Sequence, residues 1–230
     1  MLKTVFLDAG GVLLFPNWAR IEAALAGHGV RVTADQLARA EPRARKELDD
    51  LRTIGTTTDA SRGWRFFDLI LEHAGVPRSP QTSAALTELH AYHQANNLWE
   101  LVPAAVRPAL TALRDHGLTL VVVSNANGTL RAHMDRIGLS THVDIVIDSW
   151  DEGVEKPDPR LFQIALARAS AQPESTIHVG DLYQVDVVGA RAAGLRAVLL
   201  DETDLHPDAD CERVASLGEL VDRVRSGAFD

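Results

Sequence analysis

From Thr4 to Leu7 the chain is an unbroken β-branched and apolar run that ends at Asp8 and is cut by Gly10-Gly11. That is the pattern of a buried strand feeding a loop. From Phe15 to about Leu98 the apolar positions fall instead at helical spacing, as with Ile21, Ala24 and Leu25, or Phe66, Phe67, Ile70 and Leu71, and no segment reads as a strand. Trp18, Trp64 and Trp99 lie in or at the edge of this stretch, where aromatic bulk serves packing. After Pro103 helix and strand alternate. Val106, Leu110 and Leu113 mark a helix and Leu118 to Val123 a strand; Leu130, Met134 and Ile137 mark a helix and Val143 to Ile147 a strand. The rhythm continues with a helical stripe at Leu161, Phe162, Ala165 and Leu166, a strand from Thr176 to Val179, a helix from Val187 to Ala193, and a strand from Arg196 to Leu200.

Repeated βα units with nearly continuous apolar strands predict an α/β fold, a parallel sheet covered by helices on both faces. The composition shift divides the chain into a core made of residues 1–14 and 100–230 and a helical insert over 15–99. Ligands of such sheets bind beyond the carboxyl ends of the strands, so polar residues ending different strands are expected to converge.

Composition narrows the partners. At 230 residues the chain is long enough for one large domain or a core with a smaller insert. With 46% hydrophobic and 24% charged residues it is an ordinary globular protein, which excludes disorder, coiled coil and collagen. A formal charge of -9 disfavours nucleic acid and anionic membrane. Cys211 is the only cysteine, so no intramolecular disulfide or thiolate metal cluster can form; this suits a cytoplasmic location. Asp8 interrupts the apolar opening, which argues against a signal peptide, and no run approaches the ~20 apolar residues of a membrane helix. The nine histidines show no zinc-binding spacing.

The strand ends supply Asp8, Ser124-Asn125 and Gly180-Asp181, with Asp186 opening the next helix and Lys156 on the loop after the third strand. These residue types suit phosphoryl transfer. A carboxylate can attack phosphorus and divide one hard displacement into two easier ones. Further carboxylates can hold magnesium, which prefers a few carboxylate oxygens, water and substrate phosphate. Lys156 and the Ser124 hydroxyl would hold phosphate oxygens. Each residue also has a plainer reading: Asp8 as a loop cap, Ser124-Asn125 as a turn, Asp186 as a helix-start acid. Only three lysines accompany twenty arginines, and that scarcity favours a specific role for Lys156. His178, inside a strand, and Tyr183, in a loop, are read as structural.

Asp8-Ala9-Gly10-Gly11-Val12, Ser124-Asn125, Lys156-Pro157-Asp158-Pro159 and Gly180-Asp181 with Asp186 resemble, in order and spacing along nearly the whole chain, the four motifs of the haloacid dehalogenase superfamily. The resemblance implies a Rossmann-like, doubly wound core with a helical cap inserted after the first motif, and a phosphatase acting on a small phosphorylated metabolite. It implies Asp8 as nucleophile and Lys156 as its catalytic partner, with Ser124 and Asn125 binding substrate. Mg2+ would be held by the Asp8 carboxylate, the Gly10 carbonyl and Asp181, with Asp186 direct or through water.

At Gly10 the chain departs from the commonest pattern, because phosphatases of the family usually carry there the aspartate that serves as general acid and base. Relatives that cut carbon–halogen bonds have a tyrosine at that position and a serine-asparagine last motif, neither present here. Phosphonate-cleaving relatives use a cap lysine; Lys46 is the only one in the insert, on the charged stretch Arg43 to Asp50, which reads as a solvated helix face. An alternative from another class stays open: a weakly active or inactive fold that binds a phosphorylated ligand or a protein partner. Oligomeric state has no signature in the sequence.

Overall fold

A computed structural model of the chain describes residues 1–50 and 59–230, apart from the side chains of residues 59, 60 and 62. Six parallel strands form one sheet: β1 (Thr4–Leu7), β2 (Thr119–Ser124), β3 (Ile145–Asp148), β4 (Thr176–Gly180), β5 (Arg196–Leu200) and β6 (Glu212–Val214). Their order is β3-β2-β1-β4-β5-β6. The chain therefore builds outward from β1 in one direction through β3, then crosses back and builds from β4 in the other. At the reversal, between β1 and β4, loops leave the carboxyl ends in opposite directions and open a crevice. The register sets Phe6 of β1 level with Val121 of β2 and His178 of β4.

Residues 16–101 form one unit, and residues 1–15 with 102–230 the other. Among its described residues the first unit has four helices, α1 (Trp18–Gly27), α2 (Ala34–Leu48), α3 (Asp59–His73) and α4 (Pro80–Asn96). Their starts are written locally. Asn17 caps α1, while Thr33 with Gln36 and Ser79 with Thr82 form capping boxes on α2 and α4. The positions at helical spacing become the interior: Ile21, Leu25, Leu37, Phe67, Ile70 and Leu89 are buried together, with Trp18, and Trp64 and Trp99 packed against them. Entry and exit of this unit are tied, since Asn17 N donates to Leu98 O, and Glu100 accepts from the side chains of Asn17, Arg20 and Tyr92.

The sheet unit carries α5 (Val106–Asp115), α6 (Leu130–Arg136), α7 (Ser149–Glu152), α8 (Pro159–Arg168), α9 (Val188–Ala192) and α10 (Leu217–Arg225). On one face Phe6, Val121, Val123 and Ile147 pack with Leu161, Phe162 and Ala165 of α8 and Ala190 of α9. Alternation sends Val5, Leu7, Leu120 and Val122, all buried, to the other face, where α5 packs on β2 and α10 on α5. Each such side chain stabilises the fold by ~1.5–3 kcal/mol.

Three elements differ from the pattern. β6 has only three residues at the sheet edge, too short for alternation to show. β3 starts two residues later than its apolar run, after a 3-10 turn at Ser140–His142. The helix read from Val187 is preceded by a π-helical turn, Tyr183–Val187, which contains Asp186. That turn winds around a carboxylate: Asp186 N donates to Leu182 O, and Leu182 N donates back to Asp186 Oδ2 at 3.1 Å. Wide turns of this kind recur at functional sites.

Candidate active site

Asp8 follows the last residue of β1, and its amide still donates to Val179 O of β4 at 2.9 Å, so its backbone is fixed by the sheet. The turn that follows folds back on itself, with Leu13 N and Leu14 N donating to Ala9 O and Gly11 N to Leu14 O. Gly11 has φ 71°, a conformation side chains other than hydrogen resist. A Cβ there would also lie 2.0 Å from Oδ2 of Asp181. The absence of a side chain at Gly11 thus lets the Asp181 carboxylate, carried at the end of β4, lie against the Asp8 loop. Gly180 serves the second acid in the same way, because a Cβ on it would fall 2.1 Å from Cγ of Asp186.

Lys156 is the charged partner of this group. Its side chain is 1% exposed, and Nζ lies 2.9 Å from Asp8 Oδ1 and 2.7 Å from Asp186 Oδ1. Its backbone is held by Asn125, whose Nδ2 donates to Lys156 O at 3.0 Å and whose Oδ1 accepts from Lys156 N at 2.7 Å. Both ends of the Asn125 amide are therefore engaged with the lysine loop. Ser124, the last residue of β2, is buried, and its hydroxyl donates to Asn125 O at 3.5 Å. The loop after β2 is anchored by the end of β3: Asp148 Oδ2 accepts from Gly128 N and Leu130 N, and Ser149 Oγ from Ala126 N.

Burial pushes the Asp8 carboxyl above the ordinary carboxylate range, with Asp186 adding to the shift and Lys156 and Ser124 opposing it. For Asp186 burial acts in the same upward sense, but the Lys156 ammonium and the hydrogen bond from His178 outweigh it and hold the group well below its usual value. Burial works against the Lys156 ammonium, yet Asp186 and then Asp8 keep it above the ordinary lysine range. One ammonium thus faces several acids.

Asp8, Asp181 and Asp186 each offer a carboxylate oxygen, and these oxygens lie within 4.8 Å of one another. Among the described residues these three buried carboxylates gather around the Lys156 ammonium, and an all-oxygen donor set suits a hard divalent cation. The residues fit such an ion, although Asp186 already accepts three hydrogen bonds, from Lys156, His178 and Leu182 N.

The structure brings Asp8, Ser124, Lys156, Asp181 and Asp186 together, with Gly10 in the turn after Asp8. Lys46 lies on the exposed side of α2 in the other unit. Tyr183 OH donates to Asp210 on the β5–β6 connection. Two contacts were not read from the sequence, the Asn125 clamp and the bond from His178 to Asp186. The first needs the two loops folded side by side; the second had one faint signal, a lone imidazole in an apolar strand.

Over residues 2–194 the sequence matches the family model of haloacid dehalogenase-like hydrolases. The ribulose-1,5-bisphosphate 5-phosphatase of Halopiger xanaduensis is 35% identical over 188 residues, covering 75% of this chain and 77% of that one. The phosphoserine phosphatase of Thermus thermophilus is 36% identical over 157 residues, covering 68% and 61%. Among solved structures, the hydrolase YfnB of Bacillus subtilis superposes with a TM-score of 0.69 at 18% identity over 96% of this chain and 97% of that one, a likeness of fold. With this match over most of its length, and with the four motifs gathered at the β1/β4 crevice, the chain belongs to the haloacid dehalogenase-like hydrolase family.

Proposed function

We propose that the protein is a magnesium-dependent phosphatase of small phosphate monoesters. The observation that carries the reading is the pairing of a buried, strand-end carboxylate, Asp8, with a buried ammonium 2.9 Å away in a cluster of three acids. A site that only bound phosphate would gain nothing from a carboxylate facing it. The relatives named as phosphatases support the reaction class.

An Asp8 oxygen attacks phosphorus, the bond from phosphorus to the ester oxygen breaks, and the departing alkoxide takes a proton from water. Water then attacks the aspartyl-phosphate, the bond between phosphorus and the Asp8 oxygen breaks, and orthophosphate leaves with Asp8 restored. Lys156 Nζ and the Ser124 hydroxyl hold phosphoryl oxygens where charge must be stabilised. Asn125 fixes the Lys156 loop through its two backbone bonds, and this positioning is its contribution to substrate binding. Asp8, the Gly10 carbonyl and Asp181, with Asp186 direct or through water, would hold magnesium, and the ion would supply the positive charge that lets an anionic nucleophile meet an anionic substrate. Asp186 would bind the ion less directly than the other acids, because its oxygens already serve Lys156, His178 and Leu182 N. The helical unit over residues 16–101 is the cap that selects the substrate.

The test is magnesium-dependent phosphate release from a panel of small esters by wild type and by Asp8→Asn. Release by wild type alone is expected. Equal rates for both proteins on every ester would instead identify a binding module.

A further inference from the structure

His178 occupies the middle of β4, level with Phe6 of β1 and Ala197 of β5. It is fully buried and meets the Phe162 ring edge-on, with centroids 4.9 Å apart. Packing at this place asks for an apolar side chain, as its level neighbours Phe6 and Ala197 and the Phe162 ring show. The imidazole brings instead one satisfied and one unsatisfied nitrogen. Nε2 lies 2.9 Å from Asp186 Oδ1, while Nδ1 is buried without a hydrogen-bond partner among the described residues. A buried polar atom left unpaired destabilises a fold, so the ring is a poor choice unless its other nitrogen does something useful.

What that nitrogen touches is the oxygen that also takes Lys156 Nζ at 2.7 Å. With Lys156 and His178 on Oδ1 and Leu182 N on Oδ2, both edges of the Asp186 carboxylate are pinned and its plane cannot turn. Lys156 Nζ is then held at one point, 2.9 Å from Asp8 Oδ1. We infer that His178 is a positioning residue of the catalytic centre: through its Nε2–H bond it locks the Asp186 carboxylate, which in turn aims the Lys156 ammonium at Asp8. The inference rests on the phosphatase reading of that centre.

The test compares wild type, His178→Leu and His178→Gln with p-nitrophenyl phosphate and magnesium, together with Asp8→Asn as the control on the reading itself. Leucine fills the space without a donor, whereas glutamine places its Nε where imidazole Nε2 stood. Loss of an outer partner of this kind typically costs ~10–100-fold. His178→Leu is expected to lower kcat by about that factor with KM within about twofold, and His178→Gln to restore most of it. A merely space-filling role predicts the opposite order, since a polar amide fits an apolar strand worse than leucine. Leucine at wild-type kcat, or glutamine no better than leucine, overturns the inference. Nitrogen-15 NMR of the wild-type ring gives a check that needs neither variant folded nor any turnover: a slowly exchanging Nε2–H with an unprotonated Nδ1 is expected, and the Nδ1–H tautomer refutes the bond. Wild-type activity equal to that of Asp8→Asn would refute the phosphatase reading while leaving the NMR result to judge His178.

Discussion

Replacing Gly11 by alanine separates fold from chemistry at this site. The backbone there is left-handed, φ 71°, which costs a residue with a Cβ ~1–2 kcal/mol. For a chain of this length that lowers Tm by about 2–8 °C. The larger effect is local. A Cβ would stand 2.0 Å from Asp181 Oδ2 where ordinary contact begins at 3.4 Å, so the carboxylate must retreat by about 1.4 Å or the loop must shift as far. Magnesium tolerates little of this, since it demands near-ideal octahedral geometry with oxygens at roughly 2.0–2.1 Å. Misplacement on the order of 1 Å at a reacting centre can cost ~100-fold. The assay is the initial rate on p-nitrophenyl phosphate across a magnesium titration, paired with thermal melts in the presence and absence of the ion. Gly11→Ala is expected to melt cooperatively a few degrees lower, to need about tenfold more magnesium for half-maximal rate, and to fall short of wild-type kcat at saturation. A folded Gly11→Ala protein with the wild-type magnesium profile and rate would show that Asp181 does not hold the ion.

Lys156→Ala should abolish turnover and also lower the unfolding free energy in urea by roughly 3–5 kcal/mol, because it strands two buried carboxylates; an unchanged urea midpoint would contradict the burial of Nζ between Asp8 and Asp186. Wild type should release p-nitrophenol in a burst and hydrolyse alkyl esters slowly, and Gly10→Asp should speed the alkyl esters by ~10²–10⁴ by restoring a general acid; equal aryl and alkyl rates in wild type, without a burst, would mean another group gives the proton. Asp201, lowered because bonds from His206 N, Leu205 N and Arg213 outweigh the upward effect of burial, contributes stability that is fully present above its unfolded value of 3.8 and lost as pH falls through its lower folded value. Asp201→Asn should therefore cost ~1.5–3 kcal/mol at pH 7, with the gap to wild type closing below about pH 4 in denaturant titrations; a gap independent of pH would remove the charge from the explanation.

Much of this was legible along the chain because the signals are local. The run Thr4 to Leu7 ending at Asp8, the helical spacing of Ile21 to Leu25 and Phe66 to Leu71, and the βα alternation after Pro103 depend only on which face each side chain must bury. They specified the strands other than β6, the helical insert and the strand ends from which the acids project. The caps at Asn17, Thr33 and Ser79 are also local in origin, but they were found only in the structure. β6 escaped because three edge residues carry no period, and the π-helical turn escaped because the bond from Leu182 N to the Asp186 carboxylate within it leaves no mark on the apolar spacing.

Residue types at strand ends gave the inventory of the site, but only tertiary structure decided who touches whom. Lys156 reads as a loop lysine, yet it is buried because two strands' loops and a π turn close around it, and its ammonium survives there because Asp8 and Asp186 compensate the loss of water. Asn125 reads as a ligand for substrate, and folding spends both ends of its amide on the Lys156 backbone. His178 reads as a strand residue, and the β4 register turns it toward Asp186. In the Gly10-Gly11 pair the left-handed residue is Gly11, and the Asp181 carboxylate arriving from another strand occupies the space a Cβ there would need. Periodicity reports the surface each residue hides; hydrogen bonds and ion pairs between loops are set by atoms distant in sequence, and their partners exist only after the sheet has assembled.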